Sequence, residues 1–176
     1  MFKNKWKKTV EQAHEIGENE TITDRSQLLS MTPEQVKKIK SLRIENQEID
    51  DDFHDFFLSL DVLNSLFFCR CKVDCITLSN VYTCIALGFV DCTLTSKSAP
   101  LVLDDIVSWE YIETLNLSSN RIGVNPEPFC KWWKNEIAGS MTIKKLILSD
   151  NCFSEDSKIK LFSEFKKYSP NCQVVF

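Results

Sequence analysis

Cys69, Cys71, Cys75, Cys84 and Cys92 fall close together in the chain, and their spacing sets the first chemical question. Thiolates in fours hold zinc in closed tetrahedral sites. The run C-x-C-x3-C departs from the paired two-residue knuckles of such sites, and Cys84 and Cys92 also fit positions where a buried thiol serves as a small hydrophobe. Structural cysteines are therefore the main reading, with no metal ligands assigned; a zinc-binding or cysteine-dependent module on residues 69–92 is the alternative. His14 and His54 are the only histidines, so a Cys–His nucleophile pair has few possible partners. Asp50, Asp51, Asp52 and Asp55 around His54 lack the glycine and closing glutamate of an EF-hand loop, and they suit the positive end of a helix dipole instead. No Walker-type loop, GxGxxG, GxSxG or HExxH run occurs. No catalytic residue and no cofactor is expected, and the chain is read as a non-enzyme.

The whole-chain balance narrows the partner. The formal charge is −4, which does not suit a protein whose main work is neutralising phosphates. Lys3, Lys5, Lys7 and Lys8 are a local exception, leaving 17 basic against 25 acidic residues on the rest. A solvated helix face explains them better than a nucleic-acid or membrane arm. Glu11, Glu15, Glu18 and Glu20 follow at once, which argues against a mitochondrial presequence. No apolar run reaches transmembrane length and no signal-peptide core is visible, so a cytoplasmic or nuclear location with reduced thiols is expected. An apolar fraction of 43% with 26% charged residues is ordinary for a globular chain, and four glycines with five prolines leave room for helices.

The elements follow from periodicity. Phe2, Trp6, Val10, Ala13 and Ile16 mark one helix face, closed by Gly17. Thr32, Pro33 and Gln35 read as an N-cap, a first-turn proline and a capping partner. Two later runs are superimposable: Ile112-x-x-Leu115-x-Leu117-x-x-Asn120-x-Ile122 and Ile143-x-x-Leu146-x-Leu148-x-x-Asn151-x-Phe153. A weaker copy has Leu42, Ile44 and Gln47; a fourth has Ile85 and Leu87, with Val90 in place of asparagine. Alternating apolar residues point inward from a short strand, and the asparagine bonds the turning backbone. Helices are expected over Asp50 to Phe68, Pro100 to Trp109, Pro126 to Ile137 and Ser154 to Tyr168, with a closing strand from Cys172 to Phe176. Trp132 and Trp133 are assigned to core packing, with an exposed aromatic anchor as the alternative.

These runs resemble the LxxLxLxxN repeats of leucine-rich-repeat proteins of the long, helix-containing type similar to ribonuclease inhibitor. The resemblance implies an α/β fold: a right-handed strand–helix solenoid of about four repeats over 36–176, with an N-terminal helical cap at 1–35 and an irregular insertion near 69–81. It implies a non-catalytic protein-interaction module, an adaptor or a subunit of a larger complex, since stacked strands display the residues between inward leucines. The expected contacts for another protein are Glu113, Asn116, Lys144, Lys145 and Ile147. Ile147 is the sharpest of them, being apolar at an outward position.

Overall fold

In a computed structural model of the chain, the described residues are 19–50, 53, 56–60, 63–73, 84–108, 111–137 and 142–176. The expected amphipathic helix over residues 2–16 lies outside them. The dominant element is one seven-stranded sheet, formed by β1 (Asn19–Ile22), β2 (Ser41–Glu45), β4 (Ser65–Cys69), β6 (Ala86–Val90), β7 (Thr114–Asn116), β8 (Lys145–Ile147) and β9 (Gln173–Val175). Its strands follow one another in chain order, and every neighbouring pair is parallel. A second, two-stranded parallel sheet joins β3 (Glu48–Ile49) to β5 (Lys72–Val73).

Strand alternation accounts for the core. Leu42, Leu66, Leu87, Leu115 and Leu146 stand in one register and are all buried, as are Ile44, Phe68, Phe89, Leu117 and Leu148 two residues on. The Phe68 and Phe89 rings stack with centroids 5.0 Å apart, and Phe57 meets Phe68 edge-on at 5.8 Å. Such offset and T-shaped contacts add to the gain from burying the rings.

Each of the strands β2, β4, β6, β7 and β8 is followed by a residue of positive φ at an equivalent place: Asn46, Arg70, Asp91, Ser119 and Asp150. Asn and Asp tolerate this conformation; Arg70 does so less readily. The backbone offsets the strain, since the Asn46 N–H donates to the Cys69 carbonyl, Arg70 to Val90, Asp91 to Ser118 and Ser119 to Ser149. Gly123 is required for a different reason. A Cβ there would come within 2.4 Å of the Asn151 carbonyl oxygen and 2.5 Å of the Phe153 nitrogen.

The helices that lie wholly among the described residues are mostly short: α1 (Arg25–Ser30), α2 (Pro33–Val36), α3 (Ser98–Val102), α4 (Glu127–Trp132) and α5 (Glu155–Tyr168), and Phe53, Phe56 and Phe57 are also helical. Thr32 caps α2 in a reciprocal pair with Gln35, as its sequence predicts, and the Ser154 hydroxyl accepts from the Ser157 N–H at the start of α5. Residues 104–108 and 122–124 are 3-10 turns, and α4 runs into a π-helical turn at Trp133–Ile137.

The expected right-handed strand–helix solenoid of about four repeats is corrected by this architecture: it is an α/β fold built on a seven-stranded parallel sheet with few helices. The reason lies in the connections. Equivalent leucines are separated by 24 residues between β2 and β4, 21 between β4 and β6, and 31 between β7 and β8, so no uniform strand–helix period exists. Of the helical cap expected at residues 1–35, the described part holds β1, a strand of the main sheet, followed by two short helices that begin at Arg25 and Pro33. The helix expected over 50–68 is found at Phe53, Phe56 and Phe57 but ends before β4, and the expected irregular insertion near 69–81 opens with the last residue of β4 and with β5, its remainder from 74 lying outside the described residues. The copy placed at Ile85 was out of register by two residues. Ile85 is 44% exposed, while Leu87 and Phe89 point inward, so Cys92 rather than Val90 holds the position equivalent to Asn120.

Candidate functional site: the outer face of the sheet

The side chains that alternate with the buried leucines form the outer face. Along its central row, register places Thr21, Arg43, Phe67, Gly88, Asn116, Ile147 and Val175 side by side. Phe67 bends over Gly88: a Cβ at Gly88 would lie 2.3 Å from Phe67 Cδ1, so the glycine is what lets the ring lie down. Phe67, Ile147 and Val175 are each half-buried.

All five expected contact residues come together at β7 and β8. The Lys144 ammonium and the Glu113 carboxylate pair at 2.5 Å, and the Glu113 carbonyl accepts from the Lys144 and Lys145 N–H groups. Lys145 stands in register between Thr114 and Gln173. Asn116 uses its Oδ1 to accept from the Ser118 N–H at 3.0 Å. Ile147 lies between Asn116 and Val175, so β9 supplies part of its apolar surroundings.

On the other half of this face, sequence reasoning places Arg43, Glu45 and Asn46 on the outward surface of the first repeat but misses Phe67, Gly88 and Arg70. Arg43 and Arg70 both pair with Glu45, the latter at 3.0 Å, and the Arg70 Nε donates to Asn46 Oδ1 at 2.8 Å. Glu45 is thereby held below the usual carboxylate range, chiefly by the Arg43 hydrogen bond. The signal was present in Leu66-x-Phe68-x-x-Cys71-x-Val73, which repeats the pattern with cysteine where asparagine was sought.

The cysteines of this region have structural surroundings. Cys71 Sγ donates to the Ile44 and Cys69 carbonyls, and Cys92 Sγ to those of Phe68 and Val90. Burial pushes the Cys84 and Cys92 thiols up to about 12. Burial also raises Cys69 and Cys71, against partial opposition from Arg43 at Cys69 and from backbone hydrogen bonds at Cys71. Thiols so shifted stay protonated at neutral pH and are poor nucleophiles. Among the described residues, no group of three or more His, Cys, Asp or Glu side chains is placed to hold a metal ion. Cys75, His14, His54, Asp51, Asp52 and Asp55 lie outside the described residues.

Trp132 and Trp133 are both buried, with rings 6.4 Å apart. The Trp133 Nε1–H donates to the Ser169 hydroxyl at 3.2 Å, whereas the Trp132 Nε1 has no hydrogen-bond partner among the described residues. The π turn that begins at Trp133 lets consecutive tryptophans both face inward. No helix among the described residues is long and apolar enough to cross a membrane. No family model matches the chain, and no curated protein matches it in sequence.

Proposed function

We propose that the chain is a non-catalytic binding module that holds another protein on the outer face of its main sheet. The observation that carries this reading is the central row, where Phe67, Ile147 and Val175 bring apolar surface to a face bordered by the Arg43–Glu45–Arg70 and Glu113–Lys144 ion pairs. Apolar patches with a polar border are the usual anatomy of protein contacts. A face built on hydrogen-bonded strands also loses little backbone entropy on binding. The mixed charge suits a protein better than a nucleic acid. The LxxLxLxxN runs support kinship with leucine-rich-repeat proteins, and an adaptor or complex subunit in the cytoplasm or nucleus fits that kinship.

The test is to replace Lys144, Lys145 and Ile147 together with Glu, Glu and Ser, then compare co-purified proteins by mass spectrometry. Partners kept by the parent chain and lost by the triple variant, at unchanged thermal unfolding, are the expected result. Undiminished capture overturns the assignment of this face.

A further inference from the structure

The side of α5 turned away from α4 carries exposed apolar residues that nothing among the described residues covers. Leu161 and Phe165 are buried and fix the inner face of this helix. Lys160 and Glu164 lie close enough to Cys130 of α4 to act on its thiol, so that flank faces the preceding connection. At roughly 100° per residue, Ile159, Phe162 and Lys166 fall on the opposite flank, toward the β9 end of the sheet, together with Glu155. Ile159 is 70% exposed and Phe162 46%. The Lys166 ammonium lies over the Phe162 ring, 5.7 Å from its centroid. The Glu155 side chain is 81% exposed and is engaged by Lys158 alone of the lysines around it, in a surface pair of the kind that contributes little.

The order of this stripe is Glu155, Ile159, Phe162, Lys166, spaced four, three and four. Such spacing keeps one seam facing a neighbouring helix. It is also self-complementary when reversed: an antiparallel copy sets Ile159 against Phe162 and Glu155 against Lys166. We infer that the partner at this end is a second copy of the chain, joined about a twofold axis through α5. A twofold requires the same patch on both copies, and the charge order of the stripe meets that requirement. Among the described residues β9 is the last strand of the sheet and pairs there with β8 alone, so its outer edge is open to antiparallel pairing with a copy of itself. An edge strand is a ready template for such pairing. This surface is separate from the outer sheet face, so either proposal stands or falls without the other.

The full chain in sedimentation velocity at micromolar concentration should run as a dimer of the 20.4 kDa chain. Phe162→Glu should leave a monomer with unchanged circular dichroism, since the side chain is exposed. Glu155→Lys and Lys166→Glu should each weaken the dimer about tenfold, and the two together should restore it, because the swap rebuilds the opposed pair. A monomer at every concentration overturns the inference, as does a dimer indifferent to these changes.

Discussion

Two ways of closing the same turn coexist in this molecule. After β7 and β8 the residue at the recurring turn position is an asparagine; after β4 and β6 it is a cysteine. The Asn120 Nδ2 donates to the Phe89, Leu117 and Ser118 carbonyls, and its Oδ1 accepts from the N–H groups of Cys92 and Leu94. Asn151 repeats the arrangement, donating to Leu117, Leu148 and Ser149 and accepting from Ile122. At the cysteine turns the thiol reaches the equivalent carbonyls of the preceding strand and its own, at 3.4–3.5 Å, with a weaker donor. Gln47 after β2 is intermediate, its Nε2 donating to the Thr23 and Glu45 carbonyls. The position demands a donor for two carbonyls. Only an amide also serves the N–H groups of the turn before it.

The largest effect should come from a place where the two regions do not differ. Leu117→Ala and Leu66→Ala each empty a fully buried inward position and should each cost about 2–5 kcal/mol. Chemical denaturation of the two variants measures this; a Leu66 cost far below that of Leu117 would mean that the thiol-closed half is loosely packed.

The amide should matter next. Asn120→Ala removes five hydrogen bonds to buried or part-buried backbone and should cost about 1–3 kcal/mol, while Gln47→Ala, whose two bonds lie nearer solvent, should cost less. Equal losses by thermal unfolding would break the distinction between a turn held from both sides and one held only by donation.

The same contrast explains what could be read beforehand. Leu115, Leu117 and Asn120 announce their strand and turn because an amide there is a distinctive residue with a single geometric use. Cys71 and Cys92 do the same structural work but are chemically ambiguous, so they drew zinc as an alternative reading and hid β5 inside an expected insertion. The helix expected over 50–68 overran into β4 because Leu66 and Phe68 suit a buried strand as well as a helix stripe, and a short apolar run carries no periodicity to separate them. On the candidate site, the outward residues of β7 and β8 followed directly from strand alternation. Phe67 over Gly88 did not, since it depends on which strand lies beside β4, a fact of topology rather than of local pattern.

The smallest effect concerns the thiols themselves. Cys92→Ala removes one sulfur and two weak hydrogen bonds and should cost about 1 kcal/mol at neutral pH, the scale of one buried methylene-sized group. The pH dependence is more telling. The folded-state thiol is raised from about 9 to about 12 by burial, so the folded chain keeps a proton that the unfolded chain releases. Below pH 9 both states hold the proton and the contribution is fully present; as pH rises from about 9 toward 12 the unfolded state is progressively favoured, so stability falls. Cys84 contributes in the same direction. Urea unfolding followed from pH 7 to pH 10.5 should show this decline, and Cys92→Ala should make it shallower, whereas Asn120→Ala should lower stability equally at every pH. A decline of unchanged steepness in Cys92→Ala would mean that water reaches this sulfur, and that the thiol-closed turns are not the dry counterparts of the asparagine-closed ones.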